Sequence, residues 1–206
     1  MKKFELTAEY MTNSFGKKLF RIKALVAFGD VKEGDLGGFI EKESNLGNYG
    51  NTWVYGDAQV SGNAKIYGDA QVSGNARVSG DAWVSGDAQV YGDAWVSGDA
   101  QVSGDAQVYG DAWVSGDAQV SGNARVSGDL DYAIVGGFGS EQRTTTFFRQ
   151  KDGSVGVKCG CFYGTLEEFR GKVKETHKDS KYAQEYLMIA DLMELHFAGG
   201  KEDDER

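Results

Sequence analysis

Residues 54–125 read VYGDAQ-VSGNAK-IYGDAQ-VSGNAR-VSGDAW-VSGDAQ-VYGDAW-VSGDAQ-VSGDAQ-VYGDAW-VSGDAQ-VSGNAR, twelve units of six with Val or Ile at the head of each. A thirteenth, VSGDLD at 126–131, keeps the head and loses the end. A period of six belongs neither to a helix nor to one long strand, so the chemistry of the unit decides. Read as a short strand, Ala-x-Val-Ser/Tyr points Ala and Val one way and x and Ser/Tyr the other. The Gly-Asp and Gly-Asn pairs between strands are turn dipeptides, because Gly reaches positive φ freely and Asx bonds its own backbone. Strand and corner, repeated with small apolar residues inside, predict a β-solenoid. A disordered Gly/Ser/Asp tract would not hold an aliphatic residue at every sixth position from 54 to 126.

The rest of the composition follows from that repeat. The 206-residue chain has 30 glycines and no proline, and 13 of the glycines stand third in a unit. Proline would remove an N–H from strands paired on both sides. The net charge of −9 is just as local: the units from 54 to 131 carry 11 acidic and 3 basic side chains, while both flanks are close to balanced. Acidity therefore marks the solenoid corners, and nucleic acid and anionic membrane are excluded as default partners. Two cysteines are too few for a disulfide framework, which points to a reducing cytoplasm. The longest apolar run, Tyr186 to Ala190, is far below the roughly 20 residues of a membrane span. The basic start Met1-Lys2-Lys3 is followed by no apolar stretch, so no signal peptide is expected.

The unit resembles the hexapeptide repeat of left-handed β-helix proteins, in which an aliphatic residue and a small residue four places on both point inward. The stretch Gly37-Gly38-Phe39-Ile40-Glu41, with Asn45-Leu46 and Trp53-Val54-Tyr55-Gly56, resembles the entry of transferase-like members from bacteria and phages. The resemblance implies three hexads per triangular coil of eighteen residues, a left-handed turn and a homotrimer. It also implies acyl transfer from acyl-CoA, or carbonic anhydrase chemistry on three His ligands. The residues needed for either are missing from the repeat. No His precedes Glu175, no loop interrupts the coils, and no cofactor is implied.

Eighteen residues per coil sort the outward positions into three faces. The first carries Trp53, Gln71, Gln89, Gln107 and Arg125 beside Tyr55, Tyr91 and Tyr109; the second carries Gln59, Arg77, Trp95 and Trp113; the third carries Lys65, Trp83, Gln101 and Gln119. Tyr91 and Trp95 flank one corner, Tyr109 and Trp113 the same corner a coil later, roughly 4.8 Å away. These four aromatics should cluster on one edge, which, with Arg77, is read as a binding site for a partner or ligand or as the trimer contact. The Asp columns, such as Asp81, Asp99 and Asp117, are read as turn formers, because Asn63, Asn75 and Asn123 replace Asp without disturbing the unit. Coordination of Ca²⁺ is the alternative.

The expected organisation is an N-terminal β cap (1–50), the solenoid (51–131), a C-terminal α+β unit (132–200) and a charged tail (201–206). The first flank has strand-like runs at Lys3–Leu6 and Leu19–Leu25 about a turn at Asn13–Gly16. The second reads as a hairpin about Asp152-Gly153 and two helices. The first helix starts at the capping box Thr165–Glu168, and the second places Tyr182, Tyr186, Ile189, Met193 and Phe197 on one face. Reactive groups occur only here. Cys159, Cys161 and His177 are the catalytic candidates, with His196 a further zinc-ligand type, and Arg143, Lys172 and their basic neighbours suit a small anionic ligand. The functional expectation is a non-catalytic, trimeric binding or assembly protein of the cytoplasm. If phage-encoded, it would act on a factor of the host. The alternative is an acyl- or nucleotidyl-transferase with its site between subunits.

Overall fold

The computed structural model describes residues 2–198, so the charged tail lies outside the described residues. A two-residue strand starts at every sixth residue, from β4 (Trp53–Val54) and β5 (Gln59–Val60) to β16 (Arg125–Val126). Strands eighteen residues apart pair in parallel, and the thirteen fall into three stacks by their place in the coil. The protein is thus a mainly β, parallel β-solenoid of about five turns.

Two or three inter-coil hydrogen bonds per unit fix the register. Gln71 N donates to Ala88 O (3.0 Å), Ser73 N to Val90 O (2.9 Å) and Asn75 N to Gly92 O (2.8 Å), and other units repeat the scheme. Inside, the Ala and Val of the units are fully buried along the whole length. Each buried Val contributes roughly 1.5–3 kcal/mol and each inter-coil hydrogen bond about 1 kcal/mol. Stacked corner carboxylates oppose this by about 1 kcal/mol per pair, so packing wins. The repulsion is relieved in places: Asn63 Nδ2 donates to Asp81 Oδ1 and Asn75 Nδ2 to Asp93 Oδ1, both at 3.0 Å.

The corner glycines meet two demands. Gly98 has φ of 68°, and a Cβ there would lie 2.9 Å from Gly116 N in the next coil. Gly128, where the repeat breaks, has φ of −158° and opens a short 3-10 turn instead.

The N-terminal segment extends one stack of strands. The antiparallel hairpin β1 (Phe4–Thr12) and β2 (Lys18–Ala24) pairs through β2 with β3 (Leu36–Ile40), which runs parallel to β5, Phe39 opposite Gln59. The first coil is therefore under way by Leu36. Asn45, fully buried, donates to Gly62 O and Ala64 O and accepts from Lys42 N, which satisfies the backbone where the repeat has not yet begun. Trp53, an outward position by its place in the unit, is buried: Phe4 and Phe28 pack edge-on against it at 6.4 and 5.4 Å.

At the other end a hairpin and two helices are present, but the hairpin belongs to a four-stranded antiparallel sheet, β17 (Tyr132–Val135), β18 (Thr145–Arg149), β19 (Val155–Cys159) and β20 (Phe162–Thr165). Alternation along β18 joins two cores. Phe148 enters the solenoid core, whereas Phe147 meets Phe169 edge-on at 6.1 Å in the helical core. Helix α1 (Leu166–His177) starts at the Thr165–Glu168 capping box and α2 spans Lys181–Ala198. The buried face of α2 is Ala183, Tyr186, Ala190, Met193 and Phe197; Tyr182, expected with them, is 44% exposed. Among the described residues no helix is long and apolar enough to cross a membrane.

Candidate functional site

Two places gather the side chains that carry chemistry: one edge of the solenoid and a cleft in the C-terminal unit. On the edge, the aromatics form two ladders rather than one cluster. Tyr91 stacks on Tyr109 and Trp95 on Trp113, each pair with ring centroids 5.1 Å apart and planes 7° apart. The corner at Gly92-Asp93 separates the two stacks, and no ring contact joins Tyr91 or Tyr109 to Trp95 or Trp113. Stacking also reduces the exposed area, leaving only Trp113 of the four largely exposed, at 49%.

The Trp ladder is held by a polar contact that repeats with the coil, the Tyr ladder by a single one. Trp95 Nε1 donates to Ser79 Oγ and Trp113 Nε1 to Ser97 Oγ, both at 3.2 Å and both sixteen residues back. On the neighbouring face Tyr91 OH donates to Gln107 Oε1 (3.3 Å), which also accepts from Arg125. Burial and the neighbouring Tyr109 phenol push the Tyr91 hydroxyl above its ordinary pKa, against Arg125. Arg77 sits in register with Trp95 one coil below, and Phe15, from the β1–β2 turn, lies 6.0 Å from the Trp95 ring. The hairpin thus covers the lower end of the Trp ladder and leaves the upper end open. Sequence reasoning placed the four rings; nothing in the repeat announced Phe15.

The cleft brings the reactive candidates into one cavity of about 660 Å³. Cys159, Cys161 and His177 line it together with Tyr186, Arg143 and Lys172. Three elements supply them. Cys159 ends β19, and Gly160-Cys161 is the two-residue turn into β20. His177 ends α1. Arg143 comes from the β17–β18 loop, which is tied to α2 by a hydrogen bond from Gly139 N to Glu185 Oε2 (3.0 Å).

The internal pairings of the cleft limit its chemistry. Thr145 Oγ1 donates to Cys159 Sγ at 3.1 Å, while the His177 ring lies against Tyr186 (5.6 Å) and Tyr182 (6.3 Å). No hydrogen bond joins His177 to either thiol among the described residues, so a nucleophile–base pair is not formed. Burial first, then the Cys159 thiol, pushes the Tyr186 phenol up, against Arg143. Arg143 and Lys172 are already paired, with Glu141 (3.4 Å) and Glu175 (2.8 Å). An anion entering the cleft competes with those carboxylates. His196 is on α2 against Phe197 and does not line the cleft. Among the described residues no three His, Cys, Asp or Glu side chains are grouped to hold a metal ion.

Comparison with known proteins adds to the fold. A family model for the YdcK β-solenoid repeat matches residues 70–86, 88–104 and 118–130, all within the repeat and under a quarter of the chain. No curated protein matches the chain. The chain is therefore similar, over its coils, to the YdcK β-solenoid repeat.

Proposed function

We propose that this is a non-catalytic binding and assembly protein whose solenoid presents the Tyr/Trp edge to a partner. The observation that supports this most directly is the Trp95–Trp113 stack, held by serines on a rigid parallel ladder and open at Trp113. An aromatic row fixed by inter-coil hydrogen bonds loses little entropy on binding, which suits recognition. The resemblance to hexapeptide-repeat proteins supports a left-handed coil and a homotrimer, and the low cysteine count supports a cytoplasmic setting. If the chain is phage-encoded, the partner is a factor of the host.

The second reading is an acyl- or nucleotidyl-transferase using the C-terminal cleft, in which an anionic substrate meets Arg143 and Lys172. It rests on the gathering of Cys159, Cys161 and His177 around one cavity. The double variant Tyr109→Ser/Trp113→Ser and the single variant His177→Ala separate the readings. Loss of self-association or of bound partner in the first variant, with acyl-CoA left intact by the wild type, is the expected result. Acyl-CoA turnover that disappears in His177→Ala overturns it.

A further inference from the structure

The Trp ladder stops one rung before the sheet's surroundings do. Trp95 and Trp113 are eighteen residues apart, and the next rung is position 131, the last residue of the broken thirteenth unit. Asp131 has that place in the sequence, but the stack of strands ends at Trp113–Val114 and Asp131 lies in the 3-10 turn Asp129–Asp131. Its carboxylate accepts from Ser127 N (2.9 Å), Ser127 Oγ (2.6 Å) and Arg149 Nε (3.0 Å). Beside Trp113, where the stack of strands ends, lies a slot of about 260 Å³ lined by Trp113, Ser115, Asp129, Tyr132, Ala133 and Ile134. The walls are fixed: Tyr132 OH donates to Trp113 O (2.7 Å) and Asp129 Oδ1 accepts from Trp113 N (3.2 Å).

The ladder itself states what fits. Each indole N–H reaches the serine sixteen residues earlier, Ser79 for Trp95 and Ser97 for Trp113. The corresponding acceptor for a ring at position 131 is Ser115, which lines the slot. We propose that the slot beside Trp113 binds a planar indole-type ring, stacked on Trp113 and donating its ring N–H to Ser115 Oγ. The Asp129 carboxylate beside the slot favours neutral or cationic molecules over anions. The inference rests on the aromatic edge being a binding surface, and it names the chemistry bound at one end of that edge.

The test is a ¹⁹F NMR titration of the full-length protein with 5-fluoroindole. Saturable binding is expected, with a Kd on the order of 1 mM for so small a ring. Trp113→Ala should weaken it roughly tenfold, the scale of one lost stacking partner. Ser115→Ala, a mild change that leaves the ladder intact, should weaken it about fivefold. Methylating the ring nitrogen should cost the wild type about the same and cost Ser115→Ala nothing further, since both remove one hydrogen bond. A 5-fluorotryptophan tripeptide run in parallel separates the sources. Tighter binding of the peptide assigns the site to a partner's side chain, and tighter binding of the free ring to a small molecule. Binding that never saturates, that ignores Trp113→Ala, or in which the methyl and Ser115→Ala losses multiply, overturns the proposal. Native mass of Tyr109→Ser, which leaves the slot untouched, keeps the edge reading separate. If Tyr109→Ser alters the assembly but the ring does not bind, only the slot is wrong; if the ring binds and the assembly never changes, only the edge reading is.

Discussion

Trp113 lies one coil above Trp95 with 5.1 Å between ring centroids and 7° between ring planes, and each indole N–H ends on a serine of the coil below. The upper ring shields the lower one. Trp113→Ala should therefore shift Trp95 emission to the red and lower unfolding stability by about 1–2 kcal/mol, the scale of an aromatic pair and its partial burial. Fluorescence during urea unfolding reads both, and an unchanged spectrum would contradict the stack.

Gly98 and Gly128 occupy the same place in their units but different backbone regions, φ of 68° against −158°. Gly98→Ala meets Gly116 N at 2.9 Å and a disfavoured φ, and should cost about 1–3 kcal/mol. Gly128→Ala meets nothing within 4 Å and should change stability by less than about 1 kcal/mol. Denaturation midpoints of the two variants test whether corner strain follows the repeat.

Asp131 joins the broken unit to β18. Although burial opposes ionisation, its hydrogen bonds to Ser127 and the Arg149 guanidinium hold its carboxyl below the usual 3.8. The unfolded chain then binds the proton more readily, so the contribution is present above pH 3.8 and is lost as pH falls through the lower folded value. Asp131→Asn should be less stable than wild type by about 1–3 kcal/mol at pH 6, and the gap should shrink on acidification. A gap independent of pH would contradict the ion pair.

Lys3 is a buried cation. Its ammonium donates to Thr52 O (2.7 Å) and Gly50 O (3.2 Å) over the Phe28 ring, and burial lowers its pKa from 10.5 to about 8, with Asp69 opposing. The sign is opposite to that of Asp131. Between pH 8 and 10.5 the unfolded chain holds the proton that the folded chain has released, so folding stability rises with pH across that window. Neutral Lys3 keeps both carbonyl contacts, which Met cannot make. Wild type should gain stability relative to Lys3→Met between pH 8 and pH 10, measured by urea unfolding at both.

The solenoid is legible in the six-residue repeat, and its faces follow once the resemblance to hexapeptide-repeat proteins supplies eighteen residues per coil, the spacing at which the strands pair. Places where non-repeating chain meets the coil are not legible in this way. Trp53 has the outward place of its unit yet is buried, because Phe4 and Phe28 arrive from segments with no periodic relation to it. Tyr182 fits the spacing of the buried face of α2, but Ala183 takes the inward position one residue on. The strand Tyr132–Val135 lacks alternation and becomes a strand only by pairing with Thr145–Arg149. The cleft joins Arg143, Cys159 and His177 through a loop, a turn and a helix end, a convergence that spacing along the chain does not encode.

Native mass spectrometry of the wild-type protein and of Tyr109→Ser/Trp113→Ser, both purified under native conditions and both with the same far-UV circular dichroism, tests the binding edge most directly. The account predicts that the wild type carries further copies of the 22.3 kDa chain or a bound partner and that the double variant returns to the bare chain. Identical mass distributions for the two would contradict it.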